Sequence, residues 1–400
     1  MIGSDFAPDL PEFYLEDPDA SFRRLRAEDP VHWYAPGGFW CITRHADVQY
    51  VSRTPRLFCS RHGTQIFEIQ QVREGRRKGV EGAAPSIIQM DPPQHNRFRK
   101  LVIRAFTART VSALEPRIRE IARESLSAIE PGECLDFVEK VAIPLPMLVI
   151  AEMLGVPSED REDFRRWSDA MIEAGGGGTE ETTVRTVSEM FAYFQERIPE
   201  RQREPRSDLL SALVHAEIDG ERLSEPEILI FCLTLLVAGN ETTRNLISGG
   251  ARALMENPDE KRKLVEDPRR IPNAVEEMLR WVTPVRNFAR RATHDTELGG
   301  AKIAEGDFVV LLYGSANRDE AVFGEDSHRF DVTRERAPRH LAFGFGEHLC
   351  MGASLARLET RVMFQELLAR FPRLKLAGPV TPLRSILING IERMPVVFEP

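Results

Sequence analysis

The spacing of apolar and polar residues changes along this chain from helical to strand-like, and these changes mark its predicted elements. Residues 19–28 place apolar positions at helical spacing, and residues 31–43 form two aromatic and β-branched runs around the turn residues APGG, which predicts a hairpin. From Gln94 the period is helical for nearly two hundred residues. Beyond Thr283 the pattern changes to short strands, and a helix over 353–370 precedes a strand-like tail, LRSILING and PVVFEP.

Three local signals refine this pattern. The polar stretch 61–85 has no clear period and is predicted to be loop with room for a short helix. The glycine tract 175–178 is predicted to join two helices, because apolar helical sequence continues on both sides. Ser224 and Glu227 form a capping box, and the residues that follow, ILIFCLTLLVAG, are apolar on every face. Such a helix is predicted to be buried at the centre of the fold.

The elements together predict a mainly α fold with a smaller β region, an α+β architecture with two lobes. The predicted segments are a helical lobe at 94–280 and 353–370, arranged around the central helix, and β-rich parts near 30–60, 285–312 and 374–398. No repeat and no low-complexity linker divides the chain. Although the length alone, at roughly 150 residues per domain, would allow two or three domains, we expect residues 1–400 to fold as a single domain.

Composition and charge narrow the class of protein. The chain has 53 basic and 62 acidic residues, a net charge of −9, which argues against general attraction to nucleic acid or anionic lipid. The start, MIGSDFAPDL, has no basic flank and no apolar core of a signal peptide, and the longest apolar run, 228–239, is shorter than the roughly 20 residues of a membrane span. We expect a cytoplasmic protein with no membrane anchor.

The five cysteines are odd in number, and no CxxC pair indicates a structural zinc site. Cys41, Cys59, Cys134 and Cys232 are predicted to be small buried side chains. Cys350 differs, because it lies in FGFGEHLCMG, directly before a predicted helix. Three glycines in ten residues indicate a tightly bent backbone, and the start of a helix favours a thiolate.

This segment resembles the FGxGxHxCxG signature of the cytochrome P-450 family. The matching residues are Phe343, Gly344, Gly346, His348, Cys350 and Gly352. The resemblance implies the cytochrome P-450 fold and a haem b whose axial metal ligand is the thiolate of Cys350. It also implies that Phe343 packs beside the sulfur and that His348 donates to a haem propionate.

The central helix carries AGNETT, which resembles the family's oxygen-binding motif. Thr242 is placed to turn its hydroxyl onto the carbonyl of Ala238 and so open a groove in the helix. The small Ala238 and the bare Gly239 are predicted to leave room for a flat cofactor and O2. Glu241, beside that hydroxyl in an apolar helix, is predicted to pass protons, so Glu241 and Thr242 are the candidate catalytic residues.

Glu277 and Arg280 resemble the family's ExxR motif. Their spacing places the two charges on one helix face, where they can pair. The resemblance implies a structural ion pair that supports folding and cofactor retention, with Arg329 or Arg334 as its third member.

Other segments resemble cofactor-binding parts of the family. In DPPQHNRFR, His95 and Arg99 lie one helical turn apart and suit donors for propionates. Arg290 matches a strand arginine that binds a propionate, although the adjacent Arg291 offers a second register. The cofactor-binding residues implied by the resemblance are His95, Arg99, Ala238, Arg290, Phe343, Gly344, His348, Cys350 and Gly352.

The resemblance implies a bacterial-type monooxygenase that uses O2 to hydroxylate a hydrophobic small organic substrate. Family position assigns Ala238, Val285, Phe288 and Ile388 to the substrate pocket. Four hundred residues leave no room for a fused electron-transfer domain, so a separate ferredoxin and its reductase are implied. Basic residues on the cysteine side form a possible docking patch for this acidic partner: Arg104, Arg109, Arg339 and Arg357. We expect a monomer.

Three alternatives stay open at this point. A peroxygenase would use hydrogen peroxide directly, but peroxide already brings the protons and electrons that Glu241 and Thr242 would manage. A noncatalytic haem-thiolate protein would be free to lose this acid and alcohol pair, which the chain keeps. A haem-free helical protein would require several independent coincidences of motif.

Overall fold

The computed structural model describes residues 6–75, 84–176, 180–218 and 220–399, and the side chains of these residues except 104–105, 172–176 and 180. Helices account for most of the described chain. The α-helices are α1 Pro11–Leu15, α2 Asp19–Glu28, α3 His45–Arg53, α4 Ile66–Arg73, α5 Gln94–Val102, α6 Ala108–Ala113, α7 Glu115–Ser127, α8 Pro144–Leu154, α9 Arg161–Gly176, α10 Glu180–Arg203, α11 Leu209–Val214, α12 Glu225–Glu256, α13 Pro258–Glu266, α14 Ile271–Val282, α15 Tyr313–Ala316, α16 Glu320–Phe323 and α17 Ala353–Arg370.

Strands are short and fewer. They are β1 Val31–Tyr34, β2 Phe39–Ile42, β3 Phe58–Cys59, β4 Cys134–Asp136, β5 Glu217–Ile218, β6 Glu221–Arg222, β7 Asn287–Ala292, β8 Thr296–Leu298, β9 Ala301–Ile303, β10 Phe308–Leu312, β11 Lys375–Leu376, β12 Thr381–Pro382, β13 Ile391–Arg393 and β14 Pro395–Val397. The predicted mainly α fold with a smaller β region is confirmed.

The chain packs into two compact units. The sheet unit comprises Met1–Glu81, Ser248–Cys350 and Gly378–Met394, and the helical unit comprises Gly82–Ile247, Met351–Ala377 and Pro395–Pro400. Helices α13 and α14, which the sequence pattern assigned to the helical lobe, belong to the sheet unit. That residues 1–400 form a single domain stays a prediction.

A five-stranded sheet in the order β1-β2-β10-β7-β3 organises the sheet unit. Strands β1 and β2 pair antiparallel with Val31 opposite Ile42, which confirms the predicted hairpin. Strand β10 pairs parallel with β2 and antiparallel with β7. All five of its residues are buried, because Phe308, Val310 and Leu312 join one hydrophobic cluster while alternate residues join a second.

Helix α12 begins at the predicted capping box. The backbone N–H of Ser224 donates to Glu227 Oε2 at 2.8 Å, and the N–H of Glu227 donates to Ser224 Oγ at 3.4 Å. Further along the helix, Phe231 packs against Phe98 of α5 with 5.7 Å between ring centroids. Although α12 is the longest helix of the described chain, neither it nor any other described helix has the length and apolarity that crossing a membrane needs.

The irregular segments differ in part from the sequence pattern. Helix α4 lies inside the predicted loop 61–85, of which residues 76–83 lie outside the described chain. Helix α9 includes the first two glycines of the tract 175–178, and α10 begins at Glu180. The remaining glycines, within residues 177–179, lie outside the described chain. The strand predicted for LRSILING is wrong. Ser385 Oγ accepts hydrogen bonds from the N–H groups of Leu387 and Ile388, which bends the backbone, and only Ile388 forms a β-bridge.

Candidate active site

The loop before Cys350 is a tight structure built on two glycines. Gly344 and Gly346 have φ values of +71° and +69°, which glycine adopts without steric cost. A Cβ at Gly346 would lie 2.4 Å from the carbonyl oxygen of Ser52, at the end of α3. The N–H of Cys350 donates to the carbonyl of Phe343 at 2.9 Å and closes the loop. The sequence motif therefore encodes a fixed backbone shape.

Exposure separates Cys350 from three of the other cysteines. Cys350 is exposed, whereas Cys41, Cys59 and Cys232 are buried. Burial raises the pKa of the Cys232 thiol to about 12 and that of Cys41 well above its usual range, so both stay protonated. The prediction that Cys134 is buried is wrong, because it lies exposed on β4, a strand at the edge of its sheet.

Two predicted propionate donors lie in the sheet unit. His348 Nε2 and the buried Ser60 Oγ are joined by a hydrogen bond of 3.2 Å. The sequence analysis missed this partner, because Ser60 lies directly before residues 61–85, a segment without a clear period. Arg290 is buried on β7. Arg291, the alternative register, donates its Nε to Gly306 O at 2.9 Å and stacks on Phe308, so Arg290 stays the candidate.

The other two predicted donors lie on α5 in the helical unit. His95 is buried and Arg99 is partly buried, and they are separated by one turn of the helix. His95 Nδ1 lies 3.2 Å from Asn96 Oδ1. The helix therefore places both basic groups on one face, as their spacing predicts.

In the AGNETT segment of α12, a side-chain hydroxyl donates a hydrogen bond to a backbone carbonyl of the same helix. Thr242 Oγ1 donates to the carbonyl of Ala238 at 2.7 Å, the geometry expected from the sequence. Ala238 is exposed and Thr242 is partly exposed. The expectation that Gly239 leaves room for a cofactor is wrong: a Cβ there would lie 2.8 Å from Ile150 Cδ1, so this glycine permits close packing of α12 on α8.

Glu241 is buried next to a cation that the sequence analysis did not single out. Burial raises the pKa of Glu241 above its ordinary value of 4.5, and the positive charge of Arg244 opposes this shift. Burial lowers the pKa of Arg244, while the charges of Glu241 and Asp169 raise it. The i,i+3 spacing of Glu241 and Arg244 was the available signal.

A second contact joins this part of α12 to α9. The amide of Asn240 donates to Ser168 Oγ, and both residues are buried. Ser168 immediately precedes Asp169, whose charge acts on Arg244. Polar residues of α9 therefore act on Asn240 and Arg244, which lie next to Glu241 in sequence and one turn after it on α12.

The Glu277 and Arg280 pair on α14 is completely buried. Two hydrogen bonds of 2.7 Å join the guanidinium to the carboxylate. Arg334 Nε lies 3.3 Å from Glu277 Oε1, which makes Arg334 the third member. Arg329 takes part only through its carbonyl, which accepts from Arg280 Nη2 at 2.9 Å and from Arg334 Nη2 at 3.1 Å.

Two of the predicted substrate-pocket residues meet directly. Val285 and Ile388 form an antiparallel β-bridge in the sheet unit. Phe288 is partly buried against a core cluster, with its ring 6.3 Å from that of Tyr313. Ala238, the fourth member, belongs to the helical unit.

The predicted basic docking patch is partly described. Arg109 and Arg339 are exposed and Arg357 is partly exposed, whereas the side chain of Arg104 lies outside the described part of the chain. Because these residues come from both units, the patch itself stays a prediction.

The donor set fits a haem. Among the described residues, no three His, Cys, Asp or Glu side chains cluster to hold a metal ion by themselves. Cys350 supplies a thiol, the ligand type that a haem-thiolate iron takes. By type, all four predicted propionate binders are hydrogen-bond donors that suit carboxylates. Arg290 and His348 belong to the sheet unit, and His95 and Arg99 belong to the helical unit.

Comparison with known proteins identifies the family. The family model for cytochrome P450 matches residues 176–386. The chain is 40% identical to cytochrome P450 107B1 of Saccharopolyspora erythraea over 97% of its own length and 98% of that protein's. It is also 40% identical to a steroid C26-monooxygenase of Mycobacterium tuberculosis, with 95% of this chain and 94% of that protein covered. The structure of the cytochrome P450 CYP109Q5 from Chondromyces apiculatus matches with a TM-score of 0.90 at 40% identity and covers 100% of this chain and 99% of that one. From its cysteine loop to its overall fold, the chain belongs to the cytochrome P450 family.

Proposed function

We propose that this cytochrome P450 monooxygenase binds haem b and hydroxylates a hydrophobic small organic substrate with O2. One observation carries the proposal beyond family membership: Cys350 presents an exposed thiol from a loop whose glycines fix its backbone. When bound, a haem with a thiolate ligand supplies the activation of O2. The single domain of residues 1–400 is part of the same proposal, because the motifs serve one cofactor.

The chain's own residues have distinct roles in this proposal. Cys350 binds the iron, with Phe343 beside the sulfur, and the glycines Gly344 and Gly352 allow the backbone to approach the ring. We assign the haem carboxylates to four basic side chains, Arg290 and His348 of the sheet unit and His95 and Arg99 of the helical unit. Ala238 of α12 is assigned to the same cofactor because its side chain is small.

Proton delivery is assigned to Glu241 and Thr242. Thr242 holds its hydroxyl on the Ala238 carbonyl at 2.7 Å, so that the hydroxyl oxygen can accept a proton or a hydrogen bond from the reaction side. Burial raises the pKa of Glu241, so its carboxyl group keeps a proton to higher pH than an exposed glutamate does. These two groups favour the monooxygenase over a peroxygenase and over a noncatalytic haem protein.

The substrate is proposed to be apolar and small enough for a pocket that includes Val285, Phe288 and Ile388. The name of the steroid C26-monooxygenase from Mycobacterium tuberculosis indicates a steroid substrate for that relative. A rigid hydrocarbon body of this kind suits the apolar wall that the Val285 and Ile388 bridge supplies.

Electrons are proposed to come from a separate ferredoxin and its reductase, and the protein to work as a cytoplasmic monomer. The exposed arginines Arg109 and Arg339 support an acidic partner, because opposite charges steer association. The net charge of −9 makes such local basic groups necessary for that encounter.

The test is the absorption spectrum of reduced, carbon monoxide-bound protein. The wild type should bind haem and show the band of a thiolate-ligated iron, and Cys350→Ser should lose that band. Cys134→Ser is the matched control, because Cys134 is the other exposed cysteine of the described chain and should be dispensable. A wild type without haem, or a Cys350→Ser protein that keeps the band, would contradict the proposal.

A further inference from the structure

Arg286 precedes β7 in the sheet unit, next to the predicted pocket residue Val285, and its side chain is held by two other segments of the chain. Its guanidinium carbon lies 4.4 Å from the centre of the Tyr14 ring. Its Nε donates to the carbonyl of Ile388 at 3.1 Å, and its backbone N–H donates to Leu387 O at 2.7 Å. The position of the cation is therefore fixed by two separate segments of the chain, α1 and the residues around Ile388.

Arg286 lacks the carboxylate partner that other buried arginines have. Arg26, Arg201 and Arg280 each bind a carboxylate at about 3.1 Å or less. In the part of the chain that the structure describes, no carboxylate lies within ion-pair distance of the partly buried Arg286. A desolvated charge without a counter-charge is unfavourable, so this cation is available to an external anion.

The charge itself persists at neutral pH. Burial lowers the pKa of Arg286 to about 10, and the Tyr14 hydroxyl acts in the opposite direction. The guanidinium is thus protonated in ordinary conditions. Neither of its Nη nitrogens makes a hydrogen bond within the described chain, and neither is sealed from solvent. Two parallel N–H groups of this kind match the geometry of a carboxylate.

The surroundings of Arg286 define the rest of the ligand. Val285, the preceding residue, forms the β-bridge with Ile388, and the same Ile388 supplies the carbonyl that holds Arg286 Nε. The cation is therefore attached to the same segment that carries the predicted apolar pocket residues Val285 and Ile388. A molecule that covers both features has a hydrocarbon body and one anionic end.

We propose that Arg286 binds a carboxylate of the substrate, and that the substrate class is an apolar molecule with a terminal carboxylate. This inference deepens the proposed function and rests on it, because the proposed function assigns Val285 and Ile388 to the substrate pocket. A charge-assisted, partly desolvated hydrogen bond contributes enough for about a 10- to 100-fold change in Kd.

The alternative is that Arg286 only fastens the start of β7 to the C-terminal segment. Arg291 is a matched control for that role. It lies on the same strand, donates its Nε to Gly306 O at 2.9 Å and stacks on Phe308 at 5.5 Å. It thus has the same two kinds of contact, away from Val285 and Ile388.

The experiment measures Kd by equilibrium dialysis at pH 7.5 for two matched pairs of probes on the haem-loaded protein. The pairs are lithocholic acid with its C24 alcohol, and dodecanoic acid with dodecan-1-ol. The wild type should prefer the acid in at least one pair. Arg286→Met should weaken that acid by about 10- to 100-fold and the alcohol by less than about threefold, Arg286→Lys should recover part of the loss, and Arg291→Met should leave the preference intact.

Three results would overturn the inference. These are a wild type with no preference for the acid in either pair, an Arg286→Met protein that keeps the preference, and an equal loss for acid and alcohol. The last result identifies a structural role, and thermal melts of both methionine variants check it independently. The carbon monoxide spectrum of each variant is recorded in parallel, so loss of the haem-thiolate site, which would contradict the proposed function, is distinguished from loss of the anion contact.

Discussion

Two buried glutamates of this protein each have an arginine three residues later, yet their surroundings differ. Glu277 on α14 accepts four hydrogen bonds, two from Arg280, one from Arg334 and one from the N–H of Asp331. Glu241 on α12 faces Arg244, and burial outweighs that charge, so the pKa of Glu241 is raised. The same spacing thus gives a fixed ion pair in one helix and a carboxyl group that retains its proton more readily in the other.

The difference teaches that equal spacing does not give equal surroundings, because the number of fixed donors decides how well the charge of a buried carboxylate is compensated. Arg280 is itself held by the carbonyls of Asn317, Ser327 and Arg329, so its charge cannot move away from Glu277. A third buried glutamate, Glu359 on α17, completes the series. Its Oε2 has no hydrogen-bond partner in the described chain, and burial raises its pKa to about 8.

The largest effect is expected for Arg280→Met. The substitution leaves the buried Glu277 carboxylate with the Arg334 side chain and the Asp331 N–H, and it removes a donor from three carbonyls, of which that of Arg329 still accepts from Arg334. We expect a loss of about 3–5 kcal/mol in the free energy of unfolding, measured by urea denaturation, together with poor haem retention.

Arg262→Met is the control for this prediction. Arg262 pairs with Asp259 at the same i,i+3 spacing, but both side chains are well exposed, so a change of less than about 1 kcal/mol is expected. If Arg280→Met were as mild as Arg262→Met, the contrast between the pairs would have no energetic basis.

The next effect concerns Glu359 and has a definite sign. Its folded-state pKa of about 8 lies above its ordinary 4.5, so its contribution is fully present below pH 4.5 and is lost as pH rises toward 8. Relative to Glu359→Gln, the wild type should lose up to about 1.4 kcal/mol of stability per pH unit in this window. Urea melts at pH 5.5 and 7.5 measure this.

Glu366, two turns further along α17, provides the opposite case. Burial raises the pKa of its carboxyl, but Arg123 and Arg119 together lower it below the ordinary value. Glu366→Gln should therefore shift the pH dependence of stability in the other direction, at more acidic pH. Equal behaviour of the two variants would show that burial of Glu359 does not govern its protonation.

The smallest effect on stability is expected at Glu241. Because its pKa is raised above 4.5, the wild type should lose stability relative to Glu241→Gln as pH rises past that value. Arg244→Met removes the opposing charge and should extend this loss to higher pH. The measurement is a set of urea melts between pH 4 and 8 for the three proteins. If Arg244→Met left the pH dependence of stability unchanged, the charge of Arg244 would have no influence on the Glu241 carboxyl.

The periodic elements of the fold follow from local sequence. The capping box at Ser224 and Glu227 starts α12 where the pattern places it, and the β1 and β2 hairpin has the predicted turn. Prediction failed where a side chain redirects the backbone, because Ser385 bends a segment that has strand-like composition. The exposure of Cys134 was also missed, since residue type alone does not reveal that β4 lies at the edge of a sheet.

The candidate site was predictable where residues close in sequence act together. The Thr242 to Ala238 bond and the Glu277 and Arg280 pair both follow from helical spacing. Partners from distant segments were not predictable. Arg334 could not be chosen over Arg329 from sequence, and the contact of Ser60 with His348 joins residues 288 positions apart.

That long separation has a consequence for the order of events during synthesis of the protein. The cysteine loop takes its shape against Ser52 and Ser60, which are among the first segments to be made, whereas Gly346 and His348 are among the last. Ser52 and Ser60 therefore lack these contacts until about seven-eighths of the chain has been synthesised. The cysteine loop is therefore completed late in folding, and a truncated or prematurely released chain has Ser52 and Ser60 but lacks the loop that is proposed to bind the haem.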